Sequence, residues 1–451
     1  MERDQRVGDN HALLYASELS HNYNLPLQVF YFYPNSFRFR TARYELFLLK
    51  GLAEVDWRLK QLNIPFHFIR GSLEDEVVNF AQAEKLGCAV VDFSPLKEKR
   101  EWRLKVSQAL SRLNVSLVEV DAHNIVPCWT ASDKQEYSAR TIRSKLYRHL
   151  NEFARELPPI SVQAANLYEK VKKKDSINWI EIIESASMDQ TVAEVTWALP
   201  GEAAAMEALE DFLLKINPRV CYYAGKKNDP NAKVISNLSP YFNFGMLSPL
   251  RSLLVAQGAA HLKGRENINA FIEESFVRRE LSDNFCYYNH NYDNINGAPS
   301  WAQATLRAHQ DDKRVKLYSK NQLEKGKTYD DLWNASQLQL VYDGKLHGFL
   351  RMYWAKKILE WTTCATEALS IAIYLNDKYN LDGNDPNGYV GCMWSICGVH
   401  DQGWKERPVF GKIRYMNYKG CQRKFDVRQF VEQYPEAVEE CKNAGGKSCV
   451  S

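Results

Sequence analysis

Residues 25–34, LPLQVFYFYP, set the fold class of the first part of the chain. The stretch is short, almost wholly apolar and rich in Phe and Tyr, which is typical of a buried β-strand. Three stretches of the same kind follow, at residues 65–69, 88–93 and 115–120. Helical patterns separate them, at residues 40–62, 73–86 and 96–113. Strands that alternate with helices at this spacing predict βαβ units and a parallel sheet.

The N-terminus departs from that pattern. The chain begins MERDQR with no strand before its first helix, whereas a doubly wound sheet normally begins with a strand. Residues 1–125 also contain no G-x-G-x-x-G fingerprint, so a dehydrogenase-type dinucleotide site is poorly supported. We therefore predict a Rossmann-like parallel α/β domain over residues 1–125 that is shortened at its N-terminus.

The pattern changes after residue 125. Pro127, the pair Pro158-Pro159 and a lysine run at 172–174 predict that residues 126–200 form a connector with a few helical turns. The rest of the chain is mostly helical in pattern, with helices expected at residues 202–216, 249–257, 267–284, 342–375 and 427–443. The expected architecture is thus an α/β domain, a connector and a larger all-α domain over residues 201–451.

Composition is that of an ordinary globular protein. Hydrophobic residues make up 45% of the 451 residues and charged residues 25%, with a formal net charge of +3. No apolar run approaches the roughly 18 residues of a membrane span, and no secretory leader pattern is present. The ten cysteines are spread too thinly for a disulfide scaffold. We predict an intracellular protein, in the nucleus or else the cytoplasm, in which any nucleic-acid surface is a local patch.

Six of the 11 tryptophans lie between Trp301 and Trp404. Trp354 and Trp361 are seven residues apart in a predicted helix, so both fall on one face. Two interpretations remain open from spacing alone: a stripe of the hydrophobic core, or an electron-hopping path of adjacent indoles. Arg351 in the same helix requires a carboxylate partner if it is buried.

Three further segments carry candidate chemistry. Residues 401–428 hold eight basic and three acidic side chains with aromatics interleaved, which indicates either a solvated surface or a nucleic-acid contact. The loop at residues 381–388, LDGNDPNG, is rich in turn residues and could present carboxylates and amides to a cofactor. Cys392, Cys397 and His400 could ligate zinc, but no second ligand pair follows, and we predict buried thiols and no metal site.

Several motifs together resemble class II cyclobutane pyrimidine dimer (CPD) DNA photolyases. They are KNDP at 227–230, SNLSPYFNFG at 236–245, ESFVRREL at 274–281, MYWAKKILEWT at 352–362, LDGNDPNGYVGCMWSICG at 381–398 and RDQRVGDN at 3–10. The resemblance extends over nearly the whole chain.

That resemblance implies a function and a cofactor. Members carry FAD in the helical domain, and the α/β domain can hold an antenna chromophore. Light excites the fully reduced flavin, which passes an electron to a dimer flipped out of the DNA; photolyases are among the named cases of base flipping. The ring opens and the electron returns. The implied partner is UV-damaged DNA, bound by a monomer.

The resemblance also implies roles for individual residues. The FAD-binding set is Tyr223, Ser236, Asn237, Leu238, Ser239, Arg351, Asp382 and Asn384, with Ser236 to Ser239 at the phosphates and Arg351 paired to Asp382 beside the flavin. Asn376 would face flavin N5. Trp361, Trp354 and Trp333, in that order from flavin to surface, would form the photoreduction chain. Glu274, Met352 and Trp394 would contact the lesion, and the DNA-side set is Lys227, Asn228, Arg278, Asp401, Lys412 and Arg414.

Two positions depart from the family pattern. Arg278 stands where some photolyases have a second lesion-stacking Trp, and Lys227 stands where class II members commonly have Arg, which would remove a bidentate contact. The main alternative function is a cryptochrome-like signalling protein that keeps the flavin and the Trp chain but does not repair DNA. A nucleic-acid binder without flavin is the third hypothesis.

Overall fold

The computed structural model describes residues 1–34, 39–71, 73–171, 176–215 and 219–450. The lysine run at 172–174 and the predicted helix end at residue 216 lie outside these ranges. The first part of the chain contains the four predicted strands, namely β1 (Val29–Pro34), β2 (Phe66–Gly71), β3 (Cys88–Asp92) and β4 (Ser116–Val120). The helices among them are α1 (His11–Tyr23), α2 (Ala42–Gln61), α3 (Leu73–Ala83) and α4 (Lys97–Ser111).

The parallel pairing of the strands is confirmed, but they do not form one sheet. β1 pairs in parallel with β2 from Val29 opposite Phe66 onward, and β3 pairs in parallel with β4 from Cys88 opposite Ser116. Within the described residues these are two separate two-stranded sheets.

The remaining elements are helical. The predicted connector contains α5 (Cys128–Ala131), α6 (Ala139–Phe153), α7 (Ala165–Val171) and α8 (Trp179–Glu184). Next come α9 (Glu202–Leu213), α10 (Tyr223–Lys226), α11 (Ser239–Asn243), α12 (Pro249–Lys263), α13 (Arg265–Ile272), α14 (Arg279–Tyr288), α15 (Ser300–Ala308) and α16 (Lys320–Glu324). The last are α17 (Asp331–Asp343), α18 (Gly348–Glu360), α19 (Ala365–Tyr379), α20 (Pro386–Cys397), α21 (Tyr418–Gln422), α22 (Val427–Val431) and α23 (Pro435–Asn443). A π-helical turn, Glu273–Arg278, joins α13 to α14.

Two of the predicted helices are wrong as single elements, and a third is continuous but contains a π-helical turn. The stretch 342–375 is divided among α17, α18 and α19, because Gly344 ends α17 in the left-handed conformation and Cys364 has an extended conformation before α19. The stretch 427–443 breaks before Pro435, which starts α23 as its first residue. The stretch 267–284 contains the π-helical turn.

Arg3, in the N-terminal segment, connects the α/β part to the helical part through hydrogen bonds and ion pairs. The guanidinium of Arg3 makes two hydrogen bonds to Asp283 of α14, at 2.6 and 2.9 Å, and lies 3.5 Å from Asp385, the N-cap of α20. One continuous apolar core includes Phe47 of α2 and Phe244 after α11, so it joins the predicted domains. The boundaries at residues 125 and 200 stay a prediction. None of the helices in the described ranges combines the length and apolar character that crossing a bilayer requires.

Candidate cofactor and DNA site

Arg351 and Asp382 form the ion pair that the sequence predicts. Arg351 Nη2 lies 3.2 Å from Asp382 Oδ1 and also donates to Asn380 Oδ1 at 3.3 Å. Arg351 projects from α18, and Asp382 lies in the loop between α19 and α20. Arg351 Nε is buried without a hydrogen-bond partner. The N–H at Arg351 Nε is therefore available to donate a hydrogen bond to a ligand that contacts the ion pair.

A cluster of amides surrounds the pair. Asn376 is almost fully buried; its Nδ2 donates to Asp377 Oδ1 at 3.0 Å, and its Oδ1 accepts from Asn380 at 2.8 Å. Asn384 is left-handed, with a φ of 56°, and its N–H donates to Asp377 at 3.1 Å. A Cβ at Gly388 would lie 2.7 Å from the Asn376 amide nitrogen, so this glycine lets α20 pack against the cluster.

The segment before α11 supplies the other predicted cofactor residues. Asn237 is left-handed, with a φ of 62°, and its buried Oδ1 has no hydrogen-bond partner. The Ser236 hydroxyl accepts from the N–H of Leu238 at 3.4 Å, and Leu238 itself is fully buried. α11, which starts at Ser239, has only five residues. Tyr223 packs edge-on against Phe212, with ring centroids 5.8 Å apart.

These residues fit an FAD. A buried polar atom without a hydrogen-bond partner calls for an explanation. The described residues contain several such atoms, and among them are Arg351 Nε, Asn237 Oδ1 and Nε2 of the buried His347. Burial and the nearby Lys345 and Arg351 lower the pKa of His347 to about 4, so this ring is neutral. A polar, cation-rich cluster with unused donors and acceptors suits an anionic heteroaromatic ligand.

Three indoles form a buried contact chain. The rings of Trp333 and Trp354 are stacked 6.4 Å apart, and those of Trp333 and Trp361 meet edge-on at 5.4 Å. All three side chains are at most 1% exposed. The predicted order, with Trp354 in the middle, is wrong: Trp333 of α17 contacts both of the other rings. The reason is that Trp361 follows the end of α18 as its C-cap residue and lies against α17.

Met352 and Trp394 line one cavity of about 540 Å³. Trp404 and Arg414 line it too, together with the basic side chains Lys405, Arg407, Arg423 and Lys424. The structure thus brings the predicted lesion residues of α18 and α20 together with the basic segment. The aromatic part of its lining consists of Phe349, Trp394, Trp404 and Tyr415, so the cavity combines aromatic rings with positive charge.

Arg414 is held between an acid and two indoles. It donates to both carboxylate oxygens of Asp401, at 2.8 and 3.0 Å. Its Cζ lies 4.1 Å from the Trp404 ring centroid and 5.5 Å from that of Trp394. Burial alone would raise the pKa of Asp401, but the hydrogen bonds from Arg414 and from the backbone keep it below its usual value. This carboxylate stays ionised and fixes Arg414.

Glu274 forms a second cluster with the two residues that depart from the family pattern. Lys227 Nζ lies 2.8 Å from Glu274 Oε1, and Arg278 Nε lies 3.7 Å from Glu274 Oε2. Glu274 stands on the π-helical turn, and its side chain is 41% exposed. Asn228 and Lys412 are exposed, and neither belongs to the lining of the cavity of Met352 and Trp394.

Comparison with known proteins decides the family. The chain is 51% identical over 437 residues to a deoxyribodipyrimidine photo-lyase of Potorous tridactylus, a match that covers 97% of this chain and 81% of the relative. The chain belongs to the DNA photolyase family. A photo-lyase of the same name from Arabidopsis thaliana is 47% identical over 98% of this chain and 89% of the relative. The family profile for DNA photolyase matches residues 1–163.

Solved structures of the photolyase and cryptochrome fold agree with this chain. A bacterial class III photolyase from Agrobacterium tumefaciens superposes with a TM-score of 0.74 at 19% identity, covering 100% of this chain and 92% of its own. A Synechocystis cryptochrome superposes with a TM-score of 0.73 at 13% identity, covering 99% and 93%. Photolyase-family proteins bind FAD, which agrees with the polar cluster around Arg351.

Some residues at this site were not assigned a role from the sequence. Trp404 stacks on Arg414, and its only sequence signal is an aromatic inside a basic segment. Lys356 is fully buried behind Trp394, with Nζ 4.9 Å from the indole centroid. Tyr329 accepts a hydrogen bond from Trp361 Nε1 at 3.2 Å. Helix periodicity could have placed Lys356 on the face of Met352, four residues earlier.

The cysteine motif is buried next to the cofactor cluster. Burial raises the pKa of Cys392 to about 12, and the charges that act on this thiol belong to Asp377 and Arg351. Cys397 is fully buried on the same helix. In the described part of the chain no group of three or more His, Cys, Asp or Glu side chains is arranged to hold a metal ion.

Proposed function

We propose that this chain is a light-driven DNA-repair lyase that splits cyclobutane pyrimidine dimers. One observation supports it above the others: α18 and α20 each contribute to both sites. Arg351 and Gly388 belong to the polar cluster, while Met352 and Trp394 line the cavity with the basic rim. A cofactor and a flipped-out pyrimidine dimer would therefore lie against neighbouring faces of the same two helices.

The residues of the polar cluster would hold the cofactor. Bound FAD, when fully reduced, supplies the electron that light transfers to the dimer. Arg351 would balance the negative charge of the reduced ring while Asp382 fixes the guanidinium. Asn376, already bonded to Asp377 and Asn380, would present its remaining amide N–H to ring atom N5 and control the proton there.

The cavity residues would hold the lesion. Trp394 would stack on the dimer, a contact worth about 1–3 kcal/mol per base, and Met352 would fill the space toward the cofactor. Glu274, which lies outside the cavity lining in the cluster with Lys227 and Arg278, would hydrogen-bond the pyrimidine carbonyls and stabilise the extra charge. With one added electron, the C5–C5′ and C6–C6′ bonds that join the two pyrimidines would break and the two C5=C6 double bonds would form again. The electron would then leave the products, so the reaction has no net oxidation or reduction.

The indole chain would supply electrons for reduction of the cofactor. Trp354, Trp333 and Trp361 lie in successive ring contact, and Trp361 continues to the hydroxyl of Tyr329. Trp354 stands three residues after Arg351 on α18, so it would be the indole at the cofactor end of the chain.

The test is repair of a defined substrate. An oligonucleotide with a single thymine dimer is mixed with anaerobically reduced protein and exposed to near-UV or blue light, with a dark control. We expect light-dependent recovery of thymine absorbance. Trp394→Ala should weaken binding of the lesion by about 5- to 150-fold, from the loss of stacking, and Glu274→Ala should lower the repair yield, with FAD content unchanged in both.

Trp57→Ala is the matched control, since Trp57 is a 60% exposed tryptophan on α2. It should repair at the parent rate. Parent-like repair by both Trp394→Ala and Glu274→Ala would contradict the assignment of the lesion residues. Absence of repair with bound, fully reduced FAD would contradict the function itself and favour a signalling role.

Three finer statements are part of the proposal. The enzyme would act as a monomer on UV-damaged DNA, in the nucleus or else the cytoplasm. Its cofactor would be FAD in the fully reduced form. The α/β part could hold an antenna chromophore of unassigned chemistry. Size-exclusion chromatography with light scattering, cell fractionation and mass spectrometry of extracted chromophores would test these statements separately.

A further inference from the structure

Residues 404–412 form a small hairpin beside the cavity that Trp404 and Arg414 line. Arg407 and Gly411 exchange two backbone hydrogen bonds across it, at 2.9 and 2.8 Å. Trp404 is its first residue, and Arg414, on which this indole stacks, follows it by two residues. The position of the 404–412 hairpin therefore decides where two groups of the cavity lining stand.

The turn of the hairpin has a strained backbone. Val409 has a φ of 68°, in the left-handed region that a β-branched residue rarely adopts. Such a conformation persists only where the surrounding structure holds it. Here the Val409 N–H donates to Oδ2 of Asp312 at 2.8 Å. The turn therefore depends on a carboxylate that lies outside the hairpin, in the segment that follows α15.

His309, the C-cap residue of α15, connects that carboxylate to the hairpin. Its Nδ1 lies 2.6 Å from Asp312 Oδ2, and its Nε2 lies 2.9 Å from Glu406 Oε1. Ionised carboxylates only accept hydrogen bonds, so both ring nitrogens must carry a proton to donate at the same time. A protonated His309 thus joins the hairpin to the segment after α15 through two charge-assisted hydrogen bonds.

The backbone of the hairpin packs directly on this part of α15. A Cβ at Gly411 would lie 2.2 Å from Oγ1 of Thr305 and 2.9 Å from Cδ2 of His309. The N–H of Lys412 also donates to the Thr305 hydroxyl, at 3.0 Å. Because glycine allows this close approach, the imidazole of His309 lies at the contact between the hairpin and α15.

The charges around His309 favour its protonated form. Hydrogen bonds to Glu406 and Asp312 raise its pKa, and burial opposes this shift. The cations of the region act on the two acids: Lys412 on Glu406, and Arg314 on Asp312. Since the folded pKa lies above the ordinary value of about 6.5, both hydrogen bonds are complete below that pH. They are lost as the pH rises through the raised pKa.

We propose that His309 is a positioning residue for the lesion site. Its protonated ring holds the 404–412 hairpin against α15 and so keeps Trp404 and Arg414 where they receive a damaged base. This inference rests on the proposed function, because it concerns the same cavity. When the ring loses its proton, one of the two carboxylates is left without a donor, and the hairpin opens more often.

The test is His309→Gln, which keeps a side chain of similar size and removes the charge. His149→Gln is the matched control, since His149 Nδ1 also lies near a carboxylate, 3.8 Å from Glu152 Oε2 on α6, and does not line the cavity. The parent and both variants, loaded with FAD, are titrated in the dark with oligonucleotides that contain or lack a single thymine dimer. Titrations are made at pH 6.5 and pH 9. Trypsin cleavage after Lys405, followed by mass spectrometry, measures opening of the hairpin without DNA.

At pH 6.5 we expect His309→Gln to weaken binding of the dimer-containing DNA by about two- to fivefold, because apparent affinity follows the fraction of molecules with the hairpin in place. Cleavage after Lys405 should become about three- to tenfold faster, because two ion pairs no longer oppose opening. Binding of undamaged DNA and its salt slope should stay the same. At pH 9 both differences from the parent should shrink to less than about twofold, since the parent ring is then neutral. His149→Gln should match the parent throughout.

Three results would overturn the proposal. An equal loss on both DNAs with a smaller salt slope would make His309 a phosphate contact. Differences of the same size at both pH values would show that the ring acts by its shape and not by its charge. Parent-like binding and cleavage would show that the ring does not hold the hairpin. Failure of the proposed function is distinguishable from all three, because the parent itself would then bind both DNAs equally.

Discussion

The buried Lys356, which lies next to Trp394 of the cavity lining, allows a quantitative test of the structure. It is fully buried on α18, donates from Nζ to Ser395 O at 2.9 Å, and lies 4.9 Å from the Trp394 ring centroid. Burial lowers the pKa of Lys356 to about 7; the charge of Asp401 opposes this shift, while Arg414 adds to it. The proposed substitution is Lys356→Met, which keeps the length of the side chain and removes its titration.

The magnitude follows from linkage. A lysine of the unfolded chain titrates near pH 10.4, so a folded pKa of about 7 means that holding the charged form costs about 5 kcal/mol. Between these two values the unfolded state binds more protons than the folded state, so stability rises with pH. From pH 7 to pH 9 the free energy of unfolding of the native chain should gain about 2 kcal/mol relative to the variant. At pH 7 the variant should be at least as stable as the native chain. It avoids most of the cost of about 5 kcal/mol for the buried charge, and it loses only a hydrogen bond that contributes about 1–3 kcal/mol.

The assay is urea unfolding of both proteins at pH 7 and pH 9 in the same salt. Comparing the two proteins cancels every group that they share, including the other buried lysines. Lys60→Met, at an exposed position of α2, is the control and should follow the native chain at both pH values. A native-to-variant difference that stays constant within about 0.5 kcal/mol would refute a deprotonated Lys356 above pH 7.

Four further substitutions test the remaining assignments. Trp333→Phe should abolish light-driven reduction of oxidised FAD while chemically reduced protein still repairs, followed by flavin absorbance; intact photoreduction would remove Trp333 from the path. Asp382→Asn should lower the FAD retained through gel filtration, because Arg351 loses its carboxylate, and unchanged FAD content would show that the pair does not shape the site. Arg414→Ala should weaken binding of dimer-containing DNA more than of undamaged DNA, and equal losses in a filter-binding assay would make it a phosphate contact. Lys412→Ala should reduce the log–log salt slope of DNA binding by about one, and an unchanged slope would move the phosphate contacts elsewhere.

The strand and helix positions of the α/β part were predictable because local patterns determine them. Each of the four strands is a short run of apolar residues, and the structure places them within four residues of the predicted ends. The division into two sheets was not predictable, because a local strand pattern does not tell which strands pair with each other. The ion pair of Arg351 and Asp382 followed from the resemblance together with the cost of burying an unpaired guanidinium.

The order of the indole chain was not predictable from spacing. The seven-residue interval between Trp354 and Trp361 places both on one face only if the helix continues, and α18 ends at Glu360. Trp333 comes from another helix, and its position between them is a property of how α17 packs on α18. Its Nε1 donates to the carbonyl of Trp354 at 2.9 Å, which fixes the ring. Contacts between helices of this kind leave no periodic signal in one sequence.

Helices α18 and α20 each contribute residues to the polar cluster around Arg351 and to the cavity of Met352 and Trp394. This shared origin limits the distance between the two sites. On α18, Arg351 turns toward Asp382 while the next residue, Met352, lines the cavity, as the 100° rotation per residue of a helix allows. On α20, Gly388 packs on Asn376, and Trp394 faces the cavity six residues later. Packed helices lie about 8–10 Å apart. A cofactor in the polar cluster and a base against Trp394 would therefore lie within about one helix spacing of each other.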